Sequence, residues 1–352
     1  MSSYYKDLEN LESFLSCVVT EVKDVSASLA QGSLAVMVED CFRVNGKLTR
    51  PKAVFAIAKA FGADLQFCSH WAACCEILHG ASLVHDDLQD GDVMRRGRPT
   101  MWARYGSNMA INLGDYLLQV APMAIVMSGM PQDLKLELHK EFMELSSKMV
   151  AGQCDELLLN RLKSNQDLYE RYLHCIGGKT AIFFAKLARG VGVLANLGEY
   201  SLSQLEKLYF DLGLLFQMQD DILDLFGDKM RMQVGCDLRE GKVSFLIVHH
   251  LNLYPQNFSK TKAFLNRSRH EVKDVEVLRL RGQFRNDGTL EKSIEDLLQR
   301  AKRIQNHTML SNHVALKRVT LDVLENVLLP IEHLIEFERV GNCQVEEVYS
   351  TQ

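Results

Sequence analysis

An all-α fold, a bundle of consecutive antiparallel helices forming one domain, is what this sequence predicts. The chain carries only six prolines in 352 residues, so few positions are forced to break a helix. From Phe55 to Leu88 apolar residues recur three and four apart, without the alternation of a half-buried strand. Glycines and short polar clusters near 43–50, 91–100, 105–108, 128–133 and 198–204 punctuate the pattern. Each gap is short enough to join antiparallel neighbours. Residues Phe245 to Val248 have the composition of a strand but are too short and isolated to build a sheet. The more polar segment 254–290 reads as helices with loops. With no low-complexity linker and no repeat of fixed period, 1–352 reads as one domain whose outermost fifteen or so residues at either end are peripheral.

Bulk composition narrows the class of function. Hydrophobic residues make up 47% and charged residues 24%, the balance of a protein with a sizeable core. A formal net charge of −5 offers no general attraction for nucleic acid and no basic patch for a membrane surface. The nine cysteines, at 17, 41, 68, 74, 75, 154, 175, 236 and 343, are odd in number and lack CxxC spacing. That pattern argues against a zinc site or disulfide framework, and reduced thiols in a cytoplasmic protein are the simpler account. The opening MSSYYKDLENLESF carries acids early and no apolar core, so no secretory leader is expected. Apolar stretches near 113–130 and 181–197 are interrupted by Asp115, Gln119, Lys186 and Arg189, so no integral membrane segment is expected.

Two acidic clusters carry the chemistry. In His85-Asp86-Asp87-Leu88-Gln89-Asp90, Asp86 and Asp90 stack one helical turn apart, with Asp87 on the neighbouring flank. Like charges at this spacing destabilise a helix, and a hard divalent cation with oxygen ligands would offset that. Taken alone, such a cluster is equally well a solvated acidic face. The preceding residues 74–84 are mostly apolar or small, however, so these carboxylates emerge from a buried helix. A second copy, Asp220-Asp221-Ile222-Leu223-Asp224, also ends an apolar run, Leu212 to Met218. Two such clusters are poorly explained as independent surface features. Facing each other across a bundle, they would make a cage of six carboxylates that needs divalent ions and an anionic ligand to bridge them. Diphosphate with magnesium fits that requirement.

Basic residues follow suit. Arg95-Arg96-Gly97-Arg98-Pro99 lies in a loop directly beyond the first cluster, and arginine's planar fork suits phosphate. A charge run is usually a solvated face; its place beside the carboxylates favours function. Gly46-Lys47-Leu48-Thr49-Arg50-Pro51, Gly178-Lys179-Thr180 and Gly241-Lys242 are weak signals singly, since GK pairs are common at helix ends. None has the GxxxxGK spacing of a P-loop.

Taken in order, GKLTRP, EILH, DDLQDGDVMRRGRP, LGDYLL, GQ, GGKTA, FQMQDDILD and DLREGK make the chain resemble the trans-isoprenyl diphosphate synthases, from about Asn45 to about Ala301. The resemblance implies the isoprenoid synthase fold, a helical bundle around a deep apolar cavity, and a homodimer. It implies magnesium-dependent head-to-tail condensation of isopentenyl diphosphate with dimethylallyl, geranyl or farnesyl diphosphate, releasing pyrophosphate. By motif position, Asp86, Asp90 and Asp220 would hold three magnesium ions, with Asp87, Asp221 and Asp224 in support. Arg95, Lys179, Gln217 and Lys242 would contact the allylic diphosphate. Gly46, Lys47, Arg50, His79 and Arg96 would contact isopentenyl diphosphate. His79, seven residues before Asp86, would otherwise be an ordinary core histidine. Magnesium would make pyrophosphate a good leaving group, apolar walls would shield the allylic cation, and Thr180, Gln217 and the Lys179 region would stabilise it.

Three departures stand out. Most relatives carry a lysine shortly before the second GxD, where this chain reads Arg231-Met232-Gln233-Val234-Gly235-Cys236-Asp237, with Lys229 and Arg231 the nearest basic residues. Glu156 takes the acidic slot of the GQxxD motif, and the final VEEVYSTQ lacks a basic tail. Product length depends on the cavity floor. Ala81 and Ser82, one turn before the first cluster, are small, so the chain could grow until it meets Leu78, Cys75, Met109, Leu113 or Tyr116. Those residues are equally compatible with plain core packing. A twenty-carbon product, geranylgeranyl diphosphate, is the expectation, with farnesyl or longer products as alternatives. The rival reading is a class I terpene cyclase, against which the second DDxxD, GKLTRP and the double arginine count. A non-catalytic subunit on a decayed synthase fold would have lost aspartates that this chain retains.

Overall fold

In the computed structural model, which describes residues 10–44, 46–161, 163–227 and 234–335, helices form wherever the periodicity calls for them. In chain order they are α1 (Leu11–Ala27), α2 (Ser33–Cys41), α3 (Thr49–Phe61), α4 (Leu65–Asp90), α5 (Met101–Tyr105), α6 (Ser107–Val120), α7 (Met123–Met127) and α8 (Gln132–Leu159). There follow α9 (Leu168–Ile176), α10 (Ile182–Leu194), α11 (Glu199–Phe226), α12 (Cys236–Arg239), α13 (Phe245–Leu253), α14 (Phe258–Leu265), α15 (Asp274–Asn286), α16 (Thr289–Gln305), α17 (Thr308–Asn312) and α18 (Val314–Leu328). Their contacts group into two compact units. One takes in Met1–Ser147, Phe184–Lys207 and His313–Val319; the other takes in Lys148–Phe183, Leu208–Asn312 and Thr320–Gln352.

The first unit is organised on α4. Asp64 starts that helix by accepting from the backbone N–H groups of Gln66 (2.8 Å) and Phe67 (3.2 Å), and Gly91 ends it in the left-handed region at φ 70°. Trp71, Cys74, Cys75, Ile77, Leu78 and Ala81 are all buried, and α1, α3, α6 and α7 pack around them. The Trp71 indole donates to the Leu187 carbonyl (3.0 Å) across Gly190, where a Cβ would come within 2.3 Å of the ring. Lys186 and Arg189, which interrupt an apolar run, are neutralised in place. Lys186 contacts Glu141, Glu144 and Glu206 at 2.9, 2.7 and 3.0 Å, and Arg189 pairs with Glu141, Glu199 and Glu206. Buried charges are tolerated when partnered this fully.

Among the described residues one stretch, Ser107–Met127, is long and apolar enough to cross a membrane by length and composition. A core helix passes the same test, and Leu113, Leu117, Val120, Ala121, Ala124 and Ile125 of this stretch are buried in the unit.

The second unit centres on α13, whose residues Phe245 to Leu251 are all buried; it packs on α16 and α9. The strand-like composition there thus belongs to a helix covered on every side. The polar segment 254–290 forms α14, α15 and short 3-10 turns, as helices with loops.

Among the described residues one element breaks the all-helical pattern. Between α4 and α5 the chain makes a hairpin of two-residue strands, β1 (Met94–Arg95) and β2 (Arg98–Pro99), with Arg95 opposite Arg98. Its two turn residues, Arg96 and Gly97, both have positive φ (52° and 76°), the signature of a type I′ turn.

Candidate active site

In the first unit the hairpin sends three arginines to three partners. The Arg95 Nε donates to the Asp87 Oδ1 at 2.5 Å. Arg98 donates to the Asp40 Oδ1 at 2.8 Å, and Arg104 to its Oδ2 at 2.7 Å. Arg96 lies over Gly46, where a Cβ would come within 2.7 Å of its Nη1. A non-glycine residue in the left-handed region is uncommon, and at a functional site the cost is that of presenting the side chain. The hairpin base is pinned at the Asp92 carbonyl, which accepts from Thr100 (2.7 Å) and the Trp102 indole (2.8 Å).

These contacts sort the first acidic cluster. Asp87 is buried and bound by Arg95, whereas Asp86 and Asp90 remain partly exposed. Burial pushes the Asp87 carboxyl up to about 6, against the pull of Arg95. Of the residues expected to read diphosphate, Gly46, His79, Arg95 and Arg96 line one cavity of this unit together with Glu76 and Asp87, whereas Lys47 and Arg50 are not among its lining residues. Burial lowers both Arg50 and His79, and for His79 the neighbouring Arg50, Arg96 and Arg95 lower it further. His79 is therefore a neutral ring among guanidinium groups, able to donate or accept without adding charge. Glu76 balances the same cations: burial raises its carboxyl, while Arg50 and Arg96 oppose that shift. Lys47 is exposed.

In the second unit, helix α9 passes into a π-helical turn, Gly177–Ala181, before α10. Such a turn inserts an extra residue and is frequent at functional sites. Here it places Lys179 and Thr180 side by side. Lys179 pairs with Glu156 (2.6 Å), the residue in the acidic slot of the GQxxD motif. The turn lies hard against α8: a Cβ on Gly152 would come within 2.3 Å of the Gly178 backbone. Thr180 donates to the Gln217 Oε1 (2.8 Å), and the Gln217 Nε2 donates to the Asp221 Oδ1 (2.9 Å).

Asp221 is buried, like Asp87, and its other oxygen accepts from the Tyr172 hydroxyl (2.8 Å) and the Phe245 N–H (2.7 Å). Burial raises it to about 6 against those three donors. Asp224 is also buried and accepts from the Asp237 N–H at 3.1 Å, leaving Asp220 as the partly exposed member. Lys242 is turned to Glu240 at 2.8 Å. Its neighbour Gly241 (φ 72°) sits where a Cβ would strike the Leu265 carbonyl at 2.2 Å. Lys229 and Arg231 lie outside the described residues.

Hard carboxylate oxygens suit magnesium. Among the described residues no three His, Cys, Asp or Glu side chains are already gathered about one point. Magnesium demands no such cage, since it takes one or two protein carboxylates and completes its shell with phosphate oxygens and water. The donor set therefore fits. Of the residues expected to limit the cavity, Ala81, Leu78, Cys75 and Leu113 are buried, and Ser82 is partly exposed on the face that carries Asp86. The Tyr116 hydroxyl is committed to the Ser26 carbonyl at 2.7 Å. Sequence reasoning missed Asp40 and Tyr172. Neither sits in a motif, and both act on partners far along the chain.

Comparison with known proteins places the chain in a family. The model of the polyprenyl synthetase family matches residues 31–279. A geranylgeranyl diphosphate synthase of Saccharolobus solfataricus is 30% identical over 257 residues, covering 72% of this chain and 74% of that protein. A short chain isoprenyl diphosphate synthase of Methanocaldococcus jannaschii is 31% identical over 66% of this chain and 70% of its own length. The crystal structure of geranylgeranyl pyrophosphate synthetase from Pyrococcus horikoshii superposes with a TM-score of 0.76 at 23% identity, covering 94% of this chain and 99% of that one. That likeness carries the fold.

Proposed function

Since the chain belongs to the polyprenyl synthetase family and is a trans-prenyl diphosphate synthase, we propose that it condenses isopentenyl diphosphate with an allylic diphosphate, chiefly to geranylgeranyl diphosphate. The observation that carries the reading is common to both acidic clusters. In each, the middle carboxylate (Asp87 or Asp221) is buried and held by protein donors, while Asp86, Asp90 and Asp220 are partly exposed. Family members use divalent metal, and magnesium is the ion these oxygens favour. When bound, magnesium offsets the charge of the allylic diphosphate and improves pyrophosphate as a leaving group.

The chain's own residues do the rest. Arg95, Lys179 and Lys242 neutralise the allylic diphosphate. Gly46, Lys47, Arg50, His79 and Arg96 receive isopentenyl diphosphate. His79, kept neutral by burial and then by its cationic neighbours, orients that substrate through a hydrogen bond. The Thr180 and Gln217 dipoles stabilise positive charge at the carbon that loses diphosphate without becoming nucleophiles. No Ser/His or Cys/His pair is needed, because the departing pyrophosphate can take the proton.

Small residues at Ala81 and Ser82 favour growth past fifteen carbons, as does the similarity to a geranylgeranyl diphosphate synthase. Exposed apolar residues on α8 support a homodimer, and we take the cytoplasm as its compartment. The test is incubation of purified protein with magnesium, labelled isopentenyl diphosphate and each allylic starter, with products resolved by chain length. A ladder ending at twenty carbons is expected. Conversion of the allylic substrate to a hydrocarbon or alcohol, without isopentenyl incorporation, would overturn the reading.

A further inference from the structure

A chain of hydrogen bonds in the second unit runs from Thr180 through Gln217 and Asp221 to Tyr172, and its donors can be assigned one by one. An ionised carboxylate only accepts, so the group of Gln217 that faces the Asp221 Oδ1 at 2.9 Å is its amide nitrogen. The amide oxygen must then face Thr180, whose single hydroxyl proton is spent on it at 2.8 Å. The lone pairs of the Thr180 oxygen are thereby left for whatever occupies the site. The polarity of that hydroxyl is thus set two residues away, by the orientation of the Asp221 carboxylate.

Two groups fix that orientation from the far side. The Tyr172 hydroxyl and the Phe245 N–H converge on the Asp221 Oδ2 at 2.8 and 2.7 Å. Their rings are stacked, with centroids 5.8 Å apart and planes 23° apart, and Tyr172 is 2% exposed. Behind them His249 meets the Phe245 ring edge-on at 4.6 Å, so the pair is backed by packed aromatic surface. Tyr172 has no open face from which to touch a substrate.

We infer that Tyr172 is a positioning residue for the prenyl transfer, holding Asp221 so that Gln217 presents the Thr180 oxygen with its lone pairs toward the reacting carbon. The inference rests on the synthase reading and adds a residue outside every motif that suggested it. It also separates two roles for the second cluster: Asp221 orients the relay, while the partly exposed Asp220 beside it takes the cation.

Tyr172→Phe tests this, because the ring stack survives and only the hydroxyl is lost. The expected result is a melting temperature close to the parent's, a kcat lower by about tenfold or more, and KM values for both substrates within about threefold. Adding Thr180→Val to Tyr172→Phe should cost less than Thr180→Val costs alone, because both substitutions disable one relay. A second readout needs no turnover: manganese binding in the presence of inorganic pyrophosphate, followed by electron paramagnetic resonance, should weaken at least about threefold in Tyr172→Phe as Asp221 loosens beside Asp220. A kcat and a manganese affinity both within twofold of the parent would overturn the inference, as would effects that simply multiply. If the parent itself fails to condense the two substrates, the synthase reading falls, and the manganese comparison alone then decides the role of Tyr172.

Discussion

At the scale of single residues, six aspartates of identical type divide by burial, with Asp87, Asp221 and Asp224 buried and Asp86, Asp90 and Asp220 partly exposed. Asp87 is held by Arg95, and Asp221 by Tyr172, Gln217 and Phe245. The division leads to opposite expectations for neighbouring substitutions. Asp86→Ala and Asp220→Ala should each lower kcat by about a hundredfold or more with little change in melting temperature, since both are partly exposed. Asp221→Ala should melt earlier, because it strands buried donors at about 1–3 kcal/mol apiece. Steady-state kinetics beside thermal melts by circular dichroism separate the two behaviours. Normal turnover in both alanine variants at 86 and 220, with the fold intact, would remove them as metal ligands. The i, i+1, i+4 spacing made the clusters legible in the sequence. It could not rank their members, because burial depends on partners such as Arg95 and Tyr172 that no spacing rule names.

At the scale of elements, helices were legible wherever periodicity was long, and breaks wherever glycine and polar residues clustered, as at Gly106 between α5 and α6. Two elements were not. The hairpin at Met94–Pro99 is only two residues per strand, and its RRGRP core reads as a charged loop until Arg96 and Gly97 are seen at positive φ. The π turn at Gly177–Ala181 reads as a helix end, since its glycines serve close packing on Gly152. Helix α6 illustrates how packing overrides propensity. Gly114, inside that helix, faces the His85 imidazole, and a Cβ there would come within 2.1 Å of the Nε2. On propensity alone, Gly→Ala in a helix interior stabilises by about 1 kcal/mol. Gly114→Ala should instead destabilise the protein, because α4 and α6 must part or His85 must swing, disturbing the adjacent Asp86. Urea unfolding gives the sign directly. A more stable Gly114→Ala variant would show that the two helices yield at no cost.

For the whole molecule, the harder information is the kind that local pattern does not hold. Tyr172 reaches Asp221 across 49 residues and Arg98 reaches Asp40 across 58, so neither pair leaves a trace in any window of sequence. Surface patterning is different, because it becomes visible once exposure is known. Leu136, Met143, Val150 and Leu157 recur every seven residues along α8, with exposures of 58, 51, 55 and 41%. Seven residues bring a helix back to nearly the same face, so these side chains form one apolar stripe in water. Scattered exposed leucines need no explanation, but an aligned row of them on a 28-residue helix favours a covering partner. A second copy of the chain is the partner the family leads one to expect. Light scattering after size exclusion should therefore give about twice the 39.9 kDa chain mass. The double variant Leu136→Glu, Met143→Glu should shift to the single mass with its helical spectrum unchanged, since two buried charges of one sign would face each other across the stripe. A parent protein that runs as a monomer at micromolar concentration would leave the stripe to some other occupant. A double variant that stays dimeric would put the dimer contact on a different face.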